Sequence, residues 1–204
     1  DSDWSSDVCS SDLDFINEVS RLDYQEEYNT LERELREKNI IFHEDKLGIG
    51  EDTASPYTYQ LVFQLWTLEA LVKMALEHDL QPIRDPSVTV PTEAGKQLQA
   101  SELTVLPVKA YFLTGEDEEP YLLEFPVRMT LRGKISDLVG LLQALNTEEN
   151  FYPVTHLELS KIPPTPKYPA RDFIEVTVEC SSFFRFSRDL PAPARTRQPI
   201  PRGV

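Results

Sequence analysis

Between Tyr121 and Ile162 the hydrophobic period changes twice, and few folds accommodate that order. Leu123, Phe125, Val127, Met129 and Leu131 alternate with Glu124, Arg128 and Thr130, the period of a half-buried strand. Gly133 ends the alternation and is expected to serve as a strand-to-helix turn. From Ile135 the spacing becomes helical through Leu138, Val139, Leu142 and Leu145, and Asn146 and Thr147 close it. Val154, His156, Leu157 and Leu159 then point to a returning strand. A β-α-β unit with such short connections requires a sheet covered by helices on one face.

A longer alternation runs from Asp172 to Phe186. Ile174, Val176, Val178, Cys180, Ser182, Phe184 and Phe186 share one face, while Glu175, Thr177, Glu179, Ser181 and Arg185 share the other. Its length matches the 121–131 strand, and the two are predicted to pair. Pro163, Pro164, Pro166 and Pro169 make a stiff connection before it.

Upstream, Ser55-Pro56 reads as a helix start: serine caps free amides, and proline at the first helical position forfeits no hydrogen bond. Leu61, Leu65, Leu68, Val72 and Ala75 follow at helical spacing, with Phe63 and Trp66 extending the apolar face, and His78 to Pro82 stops the helix. The run Ile40-Ile41-Phe42 reads as a short strand before that helix. Strands are expected around Pro82–Val90 and Leu103–Leu113, separated by a polar stretch from Pro91 to Ser101. Gly115 to Pro120, GEDEEP, is an acidic break between halves.

The whole reads as an α+β chain: a ferredoxin-like sandwich over residues 40–190, with an antiparallel sheet and two strand-helix-strand halves, 40–113 and 120–190. The predicted core comprises Leu61, Leu65, Leu68, Val72, Phe125, Val127, Met129, Leu138, Leu142, Val176, Val178 and Cys180. Before the sandwich, Phe15, Val19, Leu22, Tyr28, Leu31 and Leu35 give residues 14–39 an amphipathic helical pattern. A helix docked on the domain and the end of a coiled-coil stalk both fit it. After the sandwich, residues 191–204 are rich in proline and arginine without apolar periodicity, the composition of a mobile tail.

Residues 1–13 are set apart. The segment DWSSDVCSSDL, Asp3 to Leu13, looks like a translated sequencing adapter, so Cys9 is no argument for a disulfide with Cys180. The net charge of −15 becomes −11 without Asp1, Asp3, Asp7 and Asp12, the four aspartates of residues 1–13. Such an acidic chain is a poor ligand for nucleic-acid phosphate or an anionic membrane surface.

No motif carries catalytic chemistry. His43 stands beside Glu44 and Asp45, His78 at a helix end and His156 on a strand, three separate elements with no multi-ligand spacing. Cys180, on an apolar strand face, reads as a structural thiol. Phosphate-cradling loops and nucleophile elbows are missing from the sequence, and GEDEEP lacks the ligand spacing of a calcium loop. The expectation is a protein without catalytic, metal or cofactor residues.

The segment PVRMTLRGKISDLVGLLQAL, Pro126 to Leu145, followed by Phe151 to Leu159, resembles the repeating unit of PilO-like periplasmic proteins of type IV pilus and type II secretion machines. The order of elements around it is similar to Amuc-type pilus-like proteins of Verrucomicrobia. That resemblance implies a non-enzymatic cell-envelope protein that is periplasmic and anchored in the inner membrane by a segment preceding this sequence, with outer-surface association as the alternative. Its implied partners are itself, a sister PilN- or PilO-like protein, or other pilus and secretion components. A small-molecule-binding or regulatory domain of the same fold is the competing reading, and it requires a pocket between helices and sheet.

Overall fold

The computed structural model describes residues 19–42, 58–91, 97–114, 120–147, 150–162 and 172–185. The segments 1–18, 43–57 and 186–204, with the expected Ser55-Pro56 cap, His43, Cys9, the adapter-like stretch and the C-terminal tail, lie outside the described residues.

The elements run α1 (Arg21–Glu37), α2 (Thr58–Glu77), β1 (Gln81–Pro82), β2 (Arg84–Pro91), β3 (Gln97–Ser101), β4 (Leu103–Val105), β5 (Lys109–Tyr111), β6 (Leu122–Lys134), α3 (Ile135–Ala144), β7 (Val154–Lys161) and β8 (Phe173–Arg185). The main sheet has the order β1-β6-β8-β7, with β4 and β5 also on β6, and every pairing is antiparallel. β6 and β8 pair from Leu122↔Arg185 to Lys134↔Phe173 without a register break. Because β8 lies between β6 and β7, those two strands run parallel without touching. The β-α-β unit legible in the sequence is therefore a split one.

Helices cover one face of this sheet. The alternating inward residues Val127, Met129, Leu131, Val176, Val178 and Cys180 join Leu65, Leu68, Leu71 and Val72 of α2 and Leu138 and Leu141 of α3 in one buried cluster. Of the expected core, Leu61 and Leu142 are only partly buried against that cluster, while the rest is buried. A second cluster forms at one end of the sheet. There Phe63 stacks on Phe125 at a centroid distance of 5.4 Å and lies 4.7 Å from Phe184. α1 packs on α2 through Tyr24, Tyr28, Leu31 and Leu35, and Tyr28 meets Phe42 edge-on at 5.6 Å.

Several expectations are corrected. Helix α1 begins at Arg21 because Ser20 and Asp23 form a capping box: Asp23 N donates to Ser20 Oγ at 3.3 Å and Ser20 N donates to Asp23 Oδ2 at 2.7 Å. Leu22, assigned to its apolar face, is 67% exposed, and Tyr24 takes that place. Ile40 to Phe42 is buried but is no strand; Ile41 exchanges hydrogen bonds with Ser101 alone, too few for a ladder. The two halves are accordingly unequal among the described residues. The stretch expected as one strand over Pro82–Val90 turns aside after β1, and β2 pairs with β3 in a separate two-stranded sheet. Part of the supposed polar separator, Gln97–Ser101, is thus a strand.

The strand expected over Leu103–Leu113 is broken into β4 and β5 for a physical reason. Leu106 N donates to Pro126 O at 2.9 Å, so Pro126 directs its backbone toward this edge, where it has no N–H to offer. Pro107 interrupts the opposite side, and the ladder resumes only at Lys109↔Glu124.

Gly133 is not a turn residue: it lies inside β6, opposite Ile174. Its reason is close approach. A Cβ there would lie 2.6 Å from Leu80 Cδ2 and 3.2 Å from the Asp79 carbonyl. Leu80 is held there by the end of α2, where Asp79 adopts a φ of 57° and Leu80 N donates to Ala75 O at 2.9 Å, a Schellman-type stop. Gly133→Ala is expected to cost about 1–3 kcal/mol of unfolding free energy by overpacking, measured in urea titrations. Asp79→Gly should instead stabilise by about 0.5–1 kcal/mol, since glycine adopts a left-handed φ without strain. An unchanged Gly133→Ala midpoint would refute the close packing of Leu80.

Candidate interaction surface

The two faces of the sheet differ in chemistry. Inward residues feed the core, whereas the outward face of β6 and β8 carries a polar ladder. Arg128 Nη2 donates to Glu179 Oε2 at 2.9 Å, Arg132 Nη2 to Glu175 Oε2 at 2.8 Å, and the Thr130 and Thr177 hydroxyls lie 3.3 Å apart between them. Each pair is directly opposite in register, the geometry in which cross-strand side chains interact. Partly exposed ion pairs of this kind contribute about 0.2–1 kcal/mol each. Arg128 and Arg132 are therefore matched within their own sheet.

At the β5 end the outward face holds a buried carboxylate. Glu124 is 3% exposed, and it accepts hydrogen bonds from Ser181 Oγ at 2.7 Å, Lys109 Nζ at 3.0 Å and the Tyr111 hydroxyl. Burial alone would push the Glu124 carboxyl up, but hydrogen bonds from Tyr111, Ser181 and Lys109, with the lysine charge, hold it below its ordinary value. The same bond to Glu124 raises the Lys109 and Tyr111 pKa values. This cluster fastens the three-residue β5 to β6 and β8. The sequence pattern placed Glu124 on the polar face but carried no sign that it would be buried.

The far side of the sheet is different. β7 has β8 on one side, and no described strand on the other. Leu157 pairs with Val178 and Leu159 with Val176, so both leucines face the helix side, yet they are 39% and 51% exposed. On the same side of the sheet, Ile135 and Val139 of α3 are 53% and 50% exposed. The helices make their main sheet contacts with β6 and β8, and apolar side chains on both α3 and β7 stay exposed. His156 and Glu158 lie on the outward face of the same strand, with Nε2 and Oε2 3.9 Å apart.

A cleft of about 260 Å³ lies where α2 ends near β6, lined by Asp79, Gln81, Arg132, Gly133, Lys134, Asp137 and Phe173. Its polar groups already have work in the fold: Asp137 Oδ2 accepts from Lys134 N at 2.9 Å at the start of α3, and Arg132 binds Glu175. It is not the apolar pocket between helices and sheet that a small-molecule domain would need.

The remaining sequence candidates stay apart. His78 follows α2 and abuts Gly140 of α3, where an added Cβ would lie 2.7 Å from Nδ1, while His156 is on β7. Cys180 is fully buried, and burial, with the neighbouring Glu179 charge, pushes its thiol up to about 12, the opposite of an activated nucleophile. No group of three or more metal-ligating side chains occurs among the described residues, and no described helix is long and apolar enough to cross a membrane.

Glu124→Ala is expected to destabilise by about 1–3 kcal/mol at neutral pH, because it strands the Ser181 hydroxyl. A folded carboxyl held below the ordinary 4.5 contributes stability that is present above that value and lost as pH falls through the folded one. The stability gap between the native chain and Glu124→Gln should therefore close on acidification, as followed by chemical denaturation. A gap independent of pH would count against the carboxylate's role.

No protein-family profile and no curated protein matches the sequence. Solved structures do. A protein from Akkermansia muciniphila, solved without its transmembrane region, is 14% identical with a TM-score of 0.50, covering 83% of this chain and 88% of that one. A core domain from the same organism is 15% identical with a TM-score of 0.50, covering 82% and 89%. The type 4 fimbrial biogenesis protein PilO from Pseudomonas aeruginosa is 12% identical with a TM-score of 0.41, covering 64% and 73%. At such identities the likeness is one of fold. The chain is thus similar in fold to the Akkermansia domains, the PilO-like, Amuc-type arrangement that Pro126 to Leu159 resembles.

Proposed function

We propose that this chain is a non-enzymatic interaction module of a bacterial cell-envelope pilus-assembly or secretion apparatus, working by protein–protein pairing. The observation that carries the reading is the set of exposed apolar side chains on β7, Leu157 and Leu159, and on α3, Ile135 and Val139, in a domain whose described polar clusters are hydrogen-bonded internally. Exposed apolar side chains gathered on a strand and a helix cost solubility unless a partner covers them. The split β-α-β topology supports a ferredoxin-like reading of the domain, a fold that offers a free sheet edge and a helix face for pairing.

The likeness to an Akkermansia protein solved without its transmembrane region supports an envelope location, periplasmic and anchored in the inner membrane in the intact protein. The partner is the chain itself or a sister PilN- or PilO-like protein, and type II secretion is the related setting. α1 docks on α2, which favours its reading as a helix of the domain, and a stalk would precede it. Against the alternative of a small-molecule or regulatory domain, the cleft beside Gly133 is polar and its Asp137 and Arg132 are already paired.

Size-exclusion with light scattering across a wide concentration range, together with capture of a co-expressed PilN-like protein from the same source, tests the reading. Concentration-dependent association or capture is expected. A chain that stays monomeric and captures no sister protein overturns it.

A further inference from the structure

β7 has a geometry that selects its own partner. Ile162 N donates to Phe173 O at 3.3 Å, and the register continues through Ser160↔Glu175, Glu158↔Thr177 and His156↔Glu179. In an antiparallel ladder alternate residues turn both backbone groups to the same neighbour. Ile162, Ser160 and Glu158 therefore face β8, and Leu157, Leu159 and Lys161 direct their N–H and C=O groups outward, where no described strand meets them. An incoming strand would find hydrogen-bonding positions at those residues, a polar outward face of His156, Glu158 and Ser160, and an apolar face of Leu157 and Leu159.

We infer that the occupant is a second copy, with β7 pairing antiparallel to β7 across a two-fold axis at Leu157. A two-fold axis perpendicular to the sheet keeps the faces matched, so the strand can centre only on one of its own residues. Centring on Glu158 sets two like charges directly opposite, which is destabilising. Centring on Leu159 sets Leu157 against the partner's Lys161. Centring on Leu157 places His156 opposite the partner's Glu158, twice by symmetry, and sets Leu157 against the partner's Leu157. The His156–Glu158 contact already present within one chain at 3.9 Å becomes a four-membered cluster across the interface. On the helix side, the exposed Leu157 and Leu159 meet their symmetry copies and lose exposure to water. The inference rests on the pairing reading above and narrows it to one edge, one register and one partner.

Symmetric cysteine cross-linking in the full chain, with Cys9 replaced by serine, reads the register directly, since the other cysteine, Cys180, is buried. Opposed residues of a hydrogen-bonded pair stand about 5.5 Å apart at Cα, within disulfide reach. Leu157→Cys should form a disulfide dimer under mild oxidation, well above Glu158→Cys and Leu159→Cys. Charge reversal supplies a second readout: His156→Glu and Glu158→Lys should each weaken dimerisation, by roughly ten-fold in Kd, and the double variant should recover most of it. A dimer that cross-links best elsewhere, or ignores both charge variants, overturns the edge while leaving pairing intact. A chain that captures a sister protein but never self-associates overturns the second copy as occupant. A chain that does neither overturns both.

Discussion

The unbroken antiparallel ladder of β6 and β8 is the constraint on which the rest of the domain depends. Thirteen opposed pairs, from Leu122↔Arg185 to Lys134↔Phe173, set two faces at once, because register fixes which side every residue takes. A slip of one residue would send Val127, Met129, Val176 and Val178 to solvent and bury Arg128 and Glu179. The inward set is fully buried, and the outward set is cross-linked by ion pairs that hold only in this register. Apolar burial supplies the larger part of the stability, and the polar ladder discriminates against slippage.

The other elements fit around that ladder by local rules. Capping at Ser20 and a left-handed Asp79 fix where two helices begin and end. Gly133 admits Leu80, and Gly140 admits His78, so the end of α2 is seated against both β6 and α3. Along the other side of β6, prolines at positions 107 and 126 divide the edge into short pieces, and Glu124, held in turn by Ser181 of β8, compensates by fastening β5 with two side-chain bonds, from Lys109 and Tyr111. The edge formed by β1, β4 and β5 is thereby fragmented into pieces of two or three residues, which discourages strand addition there. β7 is longer, carries apolar side chains on its helix-side face and keeps one register from His156 to Lys161, after a bulge at its start between Val154 and His156. This asymmetry is what gives the domain one edge suited to pairing.

Much of this was legible in the residues. Period-two alternation identified β6 and β8, the three-four spacing identified α2 and α3, and the forty or so residues resembling PilO-like proteins pointed to the fold that the Akkermansia domains share. The misreadings have particular causes. Leu22 and Tyr24 stand only two positions apart, and a helical pattern read over residues 14–39 had no way to locate the Ser20 cap that sets the phase. Gly133 looked like a turn because glycine commonly marks one, whereas its partner Leu80 lies far away in sequence. The β2–β3 excursion was missed because a hairpin that leaves the main sheet carries the same alternation as one that stays in it.

The sequence by itself determined the fold class, the strands that face the core, and the lack of any clustered catalytic motif, because periodicity and residue chemistry are local properties. Only the tertiary structure decided that β8 inserts between β6 and β7, that Glu124 is buried, and that Leu157 and Leu159, as apolar by pattern as any core residue, stay exposed. Strand order and helix placement are set by contacts between residues distant along the chain. A leucine on the inward face is buried only if a helix reaches over it, and in this domain α2 and α3 settle over β6 and β8 and stop short of β7.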